Sequence, residues 1–382
     1  MRRVVPFLLT AAAVAACSPN MATDPGPLAS GGGARSLGAS NGTPGAVYTQ
    51  SNAAAGNALL VYDRGPDGTL TPGAVIPTGG LGAGSGLGSQ GSVTLSDDGE
   101  FLLVVNAGSD DVSLFRLRGT SPELLATVPS GGDQPISVTE HAGIVYVVNG
   151  GAGNNIAGFR IATTGAGRTL VAIPGATRPL SAPNAGPAQI QFTPRGDAVI
   201  VTEKNTNRIL SFAVDASGAA AAPVITSSSG QTPFGFAFAG NTLVVTEAQG
   251  GAPNGSTLSS YAVGANGALD LVTASLHSGQ SSACWFSAAK DGGHAFAANT
   301  GSASVTTVTL APNGALTLRT DGSDAATGAT PIDNAVSGNG RFLYQLTSGA
   351  HEVDAYLIGT DGALTAVEVQ GVPVGAVGLA VK

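Results

Sequence analysis

The sequence predicts an all-β fold, a seven-bladed β-propeller closed by pairing of its C-terminal strand with the first blade. Three observations predict it. A three-strand motif returns seven times, tight turns of one chemical kind separate the strands, and the last strand has no blade of its own. Residues 46–382 are expected to form one domain, because a closed propeller of this length is a single folding unit.

The clearest copy of the motif is GPAQIQFTPRGDAVIVTEKNTNRILSFAV at residues 186–214. It predicts strands over Ala188–Thr193, Ala198–Glu203 and Arg208–Val214, since β-branched residues and Phe fill the apolar positions. Copies of the third strand recur about every 50 residues, the period of a four-stranded blade. They begin at Ala58, Asp111, Asn155, Arg208, Thr257, Ser304 and Glu352, and six of the seven end on Tyr or Phe.

Turn residues fall in register with these strands. The predicted turns from first to second strands begin at Ser96, Thr193, Lys290 and Ser337, and those from third to fourth strands begin at Pro66, Ala265, Pro312 and Thr360. Most contain Asn-Gly or Asp-Gly, pairs that reach the positive φ angles of tight hairpins.

The two ends of the domain complement each other. Ala46–Tyr62 supplies a second and a third strand with no innermost strand before them, whereas Val374–Val381 matches an innermost strand. Pairing the C-terminal strand into the first blade removes exposed sheet edges.

Residues 1–17 read as a lipoprotein signal peptide. Arg2 and Arg3 precede an apolar run that is too short to span a bilayer, and the run ends in Val-Ala-Ala-Cys, which resembles a lipobox with Cys17 as the lipidated residue. An ordinary secretory leader is the alternative. Residues 18–45 are rich in Gly, Ser, Ala and Pro and predict a flexible tether. These features predict a bacterial envelope protein, periplasmic or on the outer surface, held to a membrane by its lipid alone.

Composition narrows the possible functions. Gly and Pro are 57 and 22 of 382 residues, 43% of the chain is hydrophobic and only 10% is charged. This combination of many turn residues with a large hydrophobic fraction favours many short strands over long amphipathic helices. The net charge is −8 and no Lys/Arg cluster occurs in the predicted domain. Nucleic-acid binding is therefore not expected. The protein is expected to be a monomer.

Candidate site residues follow from the repeat alignment. In a propeller, the innermost strand starts at the face where the second strand finishes, so both places are expected to converge on the mouth of the central channel. Polar residues end most second strands, among them Asn106, Asn149, Glu203, Glu247 and Asn299. Innermost strands begin near Gln90, Gln134, Gln189, Phe234, Trp285 and Asp333. Amides and carboxylates beside aromatic rings favour a site for a polyhydroxylated or carboxylated small molecule. Alternatively, each strand-end Asn or Glu only bonds the turn that follows it.

Glu203 and Glu247 are the candidate catalytic residues. They occupy equivalent positions on adjacent blades, so their carboxylates are expected to face each other. A cation or a proton between them would relieve the repulsion, although Arg208 could neutralise Glu203 instead. No cofactor is required by the sequence. If a metal binds, the oxygen ligands suit Ca²⁺ or Mg²⁺.

The repeats resemble the seven-bladed lactonase family, which includes 6-phosphogluconolactonase and carboxy-muconate lactonizing enzymes. The resemblance covers about residues 45–382 and rests on Gly186-Pro187, on Phe192-x-Pro194-x-Gly196 with Glu203, on Asn106–Asp110 and on the closing strand. It implies the propeller fold and a lactone-directed activity. The family usually carries Arg-His where this chain has Ala188-Gln189, and His-x-His where it has Ser89-Gln90-Gly91.

Two functions therefore stay open. The first is a lactonase-like hydrolase or cycloisomerase that uses Glu203 and Glu247 on a small lactone at the channel mouth. The second is a propeller that binds a small molecule, glycan or peptide without turning it over, which the missing Arg-His pair favours because glutamine cannot replace an acid–base imidazole.

Overall fold

The computed structural model describes residues 45–165, 167–320 and 323–382. The predicted signal peptide, Cys17 and the tether lie outside these residues, except Gly45, which begins the first strand one residue before the predicted domain boundary. Seven antiparallel sheets surround a common axis, which confirms the predicted propeller. Neighbouring innermost strands contact one another around the ring.

The strands run in order from the axis outward within each blade. Blade 1 holds β1 (Gly45–Gln50), β2 (Ala58–Arg64) and β3 (Leu70–Pro77); blade 2 holds β4 (Val93–Leu95), β5 (Phe101–Asn106), β6 (Asp111–Arg118) and β7 (Ser121–Pro129). Blade 3 holds β8 (Pro135–His141), β9 (Ile144–Asn149), β10 (Asn155–Thr164), β11 (Gly167–Ala172) and β12 (Arg178–Pro179). Blade 4 holds β13 (Pro187–Phe192), β14 (Ala198–Glu203), β15 (Arg208–Ala213) and β16 (Val224–Ser227).

The second half of the ring continues the pattern. Blade 5 holds β17 (Pro233–Ala239), β18 (Thr242–Glu247), β19 (Thr257–Val263) and β20 (Leu269–His277). Blade 6 holds β21 (Ala283–Ala288), β22 (His294–Asn299), β23 (Ser304–Leu310), β24 (Leu316–Leu318) and β25 (Ala325–Ala326). Blade 7 holds β26 (Pro331–Val336), β27 (Phe342–Thr347), β28 (Glu352–Ile358) and β29 (Leu364–Gly371), and β30 (Val377–Val381) follows. Two 3-10 turns, Gln249–Gly251 and Ala265–Gly267, flank β19.

Closure occurs as predicted. β30 pairs antiparallel with β1 and becomes the innermost strand of blade 1. The side chain of Thr49 donates to the carbonyl of Val377, so the pairing is also tied by a buried side-chain bond.

Blades 3 and 6 depart from four simple strands. Their outermost strand is split into two pieces, β11 with β12 and β24 with β25, that pair successively with the same third strand.

Among the described residues, the core consists of seven apolar layers between neighbouring blades. The layer between blades 7 and 1 also extends to the axis, where it includes Phe234 and Trp285. The aromatic residues that end the third strands enter these layers, as Phe115, Phe212 and Tyr261 show by being almost completely buried. Each layer is shared by two blades, so no blade can bury its apolar surface alone. The ring therefore stabilises itself by closing.

Candidate functional site

A cavity of about 330 Å³ lies on the propeller axis, lined by the innermost strands of several blades. We name it the axial cavity. Its charged lining residues are Asp97, Glu140, Lys290 and Asp333, and its amide residues are Gln90, Gln189, Gln191 and Asn334. Asp97 and Lys290 follow the ends of innermost strands, so the cavity lies toward the face that carries the turns from first to second strands. Its size suits a small molecule.

Asp333 is the central titratable group of the axial cavity. Its side chain is only 3% exposed, and its Oδ2 accepts a hydrogen bond of 3.0 Å from the backbone N–H of Gly378 in β30. Gly378 has a φ of 73°, in the left-handed region that favours glycine. Burial raises the pKa of Asp333 to about 7, against the opposing hydrogen bonds from Gly378 and Gly91. The carboxyl group is thus poised between its two protonation states near neutral pH.

A local irregularity places two polar residues of β26 in the cavity. The pairing of β26 with β27 shifts register between Pro331 and Asn334. Such a bulge alters the alternation of side chains along a strand, and both Asp333 and its neighbour Asn334 line the cavity. Asn334 donates through Nδ2 to the carbonyl of Phe296 at 3.2 Å, while its Oδ1 is buried without a hydrogen-bond partner among the described residues.

The opposite end of the axis is filled by an aromatic group. The rings of Phe234 and Trp285 lie 4.7 Å apart, and both side chains are at most 1% exposed. Trp285 donates through Nε1 to the carbonyl of Ser89, across the axis, at 2.8 Å. Lys204 lies over the Phe234 ring at 5.0 Å and donates to the carbonyl of Gly88 at 2.6 Å. We call Phe234, Trp285 and Lys204 the axial plug.

The axial plug corrects the predicted roles of its aromatic residues. Phe234 and Trp285 were expected to face a ligand at an open mouth, but they pack against each other and close that end of the channel. Burial lowers the pKa of Lys204 to about 8, because loss of water disfavours the charged ammonium group. Lys204 follows β14 and points inward, a position that the residue pattern of the strand ends had not singled out.

Gln90 and Gln189 reach the axial cavity, but their amides are already paired with backbone. Gln90 donates to the carbonyl of Phe286 at 2.6 Å and accepts from its N–H at 2.8 Å, which ties blade 2 to blade 6. Gln189 makes the same paired contact with Phe236, at 2.9 and 2.8 Å, which ties blade 4 to blade 5. In addition, the backbone N–H of Gln90 donates to Ala188 at 2.9 Å. The positions at which the family usually carries its His-x-His and Arg-His therefore meet at the axis.

The residues that end the second strands do not converge on the channel, which corrects the expectation for Asn106, Asn149 and Asn299. Each is buried between strands. Asn106 accepts from Thr78 at 2.7 Å and Asn149 donates to the carbonyl of Ser130 at 3.4 Å, both on segments that cross from one blade to the next. Asn299 donates instead to Thr306 of its neighbouring strand at 2.9 Å. These contacts favour the structural alternative.

Glu203 and Glu247 anchor the same kind of crossover segment. Glu203 is fully buried and accepts from the N–H of Ser181 at 2.9 Å and from the Ser181 hydroxyl. Glu247, equally buried, accepts from the N–H of Gly230 at 2.7 Å and from Ser228 at 3.1 Å.

Neither glutamate lines the axial cavity, so the expectation that the two carboxylates face each other at an open mouth is not met. Arg208 faces Glu203 in the pairing of β14 with β15, but its guanidinium group donates to the Ser181 hydroxyl at 3.0 Å and makes no ion pair with Glu203.

Gln134 also lies apart from the cavity. It has a φ of 54°, and its N–H donates to Asp110 at 2.7 Å, so it forms part of the crossover that leads into β8. Its side chain is exposed. Of the predicted ligand-binding residues, the structure brings Gln90, Gln189 and Asp333 to one cavity; their binding role stays a prediction.

The open rim of the cavity carries an acidic group that sequence reasoning missed. Glu140 is the penultimate residue of β8 and accepts from the N–H of Asp97 at 2.9 Å and from that of Gly143 at 2.5 Å. Burial raises its pKa despite these two bonds. Asp97 pairs with Nδ1 of His141 at 2.5 Å. The sequence does contain a signal for this group, because Glu140 is a polar residue near the C-terminal end of the innermost strand β8. That end lies on the face that the repeat alignment assigned only to turns.

Within the described ranges, no group of three or more His, Cys, Asp or Glu residues is arranged to hold a metal ion. In the same ranges, no helix is long and apolar enough to cross a membrane.

The fold and the cavity together define a class: a closed seven-bladed propeller whose axis is plugged by aromatic residues at one end and open to an acidic cavity at the other. Residues 90–252, from the approach to β4 through the second strand of blade 5, match the family described as "Lactonase, 7-bladed beta-propeller". This match agrees with the family resemblance that the motifs predict.

Solved structures support the fold. A putative 6-phosphogluconolactonase from Bacteroides fragilis is 20% identical, with 88% of this chain and 97% of that chain covered and a TM-score of 0.64. The periplasmic gluconolactonase PpgL of Pseudomonas aeruginosa is 16% identical, with 88% and 99% covered and a TM-score of 0.68. A protein from Lactobacillus plantarum is 16% identical, with 88% of this chain and 99% of that chain covered and a TM-score of 0.69. No curated protein matches the sequence. At these identities the likeness concerns the fold alone.

Proposed function

We propose that this chain is a lactonase-like hydrolase that opens a small lactone in the axial cavity, with Asp333 as the general base. One observation carries the proposal: a buried carboxyl group lines a cavity of about 330 Å³, and burial raises its pKa to about 7. A general base works best when its pKa lies near the operating pH. A strongly perturbed acid in a cavity is also a common property of catalytic sites.

The chemistry requires one water molecule. The Asp333 carboxylate takes a proton from water as the water oxygen attacks the lactone carbonyl carbon. The ring C–O bond then breaks, and the proton on Asp333 returns to the departing alkoxide oxygen. The product is the open hydroxy acid, and Asp333 is regenerated.

Binding without turnover is the second candidate, and one observation favours it. Gln189 stands where the family usually carries the histidine of Arg-His, and its amide is occupied by backbone groups of Phe236 in blade 5. Ala188 replaces the arginine, and Ser89 and Gly91 replace the two histidines of His-x-His. If the lactone chemistry of this fold depended on those positions, the cavity would retain the shape of a ligand site without its reaction.

The test is a panel of sugar and aromatic lactones offered to the full chain, with and without chelator. We expect hydrolysis that is lost by about 10²-fold or more in Asp333→Asn, and a wild-type rate that rises with pH around the Asp333 pKa of about 7. Glu203→Gln is the matched comparison and should keep its turnover. Hydrolysis that survives in Asp333→Asn but disappears in Glu203→Gln would overturn the assignment of the base. Ligand binding with no turnover on any lactone would favour the second candidate.

We also propose that the propeller is anchored to the cell envelope through a lipid on Cys17, on the strength of the lipobox-like residues before it. Cys17→Ala should release the protein from the membrane fraction of expressing cells and abolish incorporation of labelled fatty acid. A membrane-bound, labelled Cys17→Ala protein would contradict this.

A further inference from the structure

The charge of the axial cavity points to the kind of molecule that enters it. Asp97, Glu140 and Asp333 line it, while Lys290 is its basic side chain within the described part of the chain. The charge of the whole chain has the same sign, −8. An anionic ligand would therefore approach a surface and a cavity of its own sign, which lowers both its local concentration and its affinity.

The hydrogen-bonding groups of the cavity point the same way. The two oxygens of Glu140 accept hydrogen bonds from backbone N–H groups, which fixes the orientation of its carboxyl group at the cavity. Asn334 uses its Nδ2 on the Phe296 carbonyl, and its buried Oδ1 has no partner among the described residues. A buried acceptor left unpaired costs free energy that a ligand can recover by donating to it.

The donors of the cavity are already engaged. The Nε2 groups of Gln90 and Gln189 both donate to backbone carbonyls. A phosphate or carboxylate group would need several charge-assisted donors, of which arginine is the most effective, and no arginine lines this cavity in the described ranges. Lys290 is exposed at the rim, where its charge is shared with solvent.

We propose that the axial cavity selects a small polyhydroxylated molecule that carries a protonated amine, and that it rejects phosphorylated and carboxylated sugars. The inference deepens the proposed function in that it uses the same cavity, but it concerns binding and does not require turnover. The amine lies among the carboxylates of Glu140, Asp97 and Asp333, and a hydroxyl group donates to the unpaired Oδ1 of Asn334.

The test measures binding of three stable probes to the full chain by calorimetry at low ionic strength: glucosamine, glucose and glucose 6-phosphate. We expect glucosamine to bind at least about tenfold more tightly than glucose, and glucose 6-phosphate to bind most weakly. Glu140→Gln and Asp333→Asn should each reduce the preference for glucosamine. Asp270→Asn, which removes an exposed carboxylate of β20 outside the cavity, should leave it unchanged.

Lys290→Ala provides a second variant that does not disturb a buried group. Its loss should tighten glucosamine binding and weaken that of glucose 6-phosphate further. Tighter binding of glucose 6-phosphate than of glucosamine, or no binding of any probe, would overturn the inference.

Parallel hydrolysis assays on the corresponding lactones separate the two proposals. Turnover without a preference for the amine defeats only the selectivity, whereas the preference without turnover defeats only the proposed reaction.

Discussion

Replacement of Asp333 by Asn tests the physical basis of the site through stability alone. The folded protein holds the proton of Asp333 more tightly than the unfolded chain does, because burial raises its pKa from 3.8 to about 7. The folded state therefore binds more protons over this range, and stability must fall as pH rises from about 4 to about 7. With 1.36 kcal/mol for each pKa unit, this one group should lower the free energy of unfolding by about 2.5 kcal/mol between pH ~5 and pH ~8.

The assay is urea unfolding of the full chain at these two pH values, with the wild type and the variant compared. The substituted asparagine side chain has almost the same shape as that of Asp333, can still accept from Gly378 and does not titrate, so the variant should lose that part of the pH dependence. Asp354 is the internal comparison, since burial raises its pKa to about 6 as well. Asp354→Asn should remove a smaller share, about 1.5 kcal/mol over the same range. An unchanged pH dependence in Asp333→Asn would refute the reasoning, and the proposed base would lose its support.

Three further substitutions test the axis and the crossovers. Gln90→Leu should lower the free energy of unfolding by about 2–4 kcal/mol, because it removes two hydrogen bonds and leaves the N–H and carbonyl groups of Phe286 without these partners. The control is Gln231→Leu, a change at an exposed glutamine, and equal urea midpoints for the two variants would contradict this prediction. Phe234→Ala should cost about 3–5 kcal/mol by opening a cavity beside Trp285, and a calorimetric melting temperature equal to that of wild type would count against a packed plug. Glu203→Gln should lower stability by about 1–3 kcal/mol through its contacts with Ser181, measured in urea, while lactone turnover stays at the wild-type level; loss of turnover with intact stability would restore its catalytic role.

The fold was predictable because each of its signals is local and repeated. The aromatic ends of the third strands and the Asn-Gly and Asp-Gly turns depend on positions close together in the chain. The final strand was assigned by counting strands, because it is left over when the other blades are complete. The second strand of blade 4 has the predicted bounds, Ala198–Glu203, and its neighbours differ from prediction by one residue at their ends. Split outer strands were not predicted, since such interruptions depend on contacts between elements.

The site was predictable only in part, because orientation across the axis is not a local property. Gln189 and Asp333 lie on innermost strands, Gln90 lies just before one, and all three line the axial cavity. The sequence does not show, however, that glutamine side chains pair with the backbone of blades up to 196 residues away. The glutamates were misjudged for a related reason. A hydroxyl residue opens the crossover that each one anchors, Ser181 for Glu203 and Ser228 for Glu247, and this repeated pairing was the overlooked signal.

The pairing of β30 with β1 has a consequence for how the molecule is made. Blade 1 has no innermost strand until residues 377–381 are available, and the bond from Thr49 to Val377 spans 328 positions. A nascent chain that has reached blade 7 still presents an open arc with two unsatisfied sheet edges. The ring can therefore close only after the end of the domain has been synthesised. Loss of these five residues should lower the stability of the whole propeller and not of one blade alone.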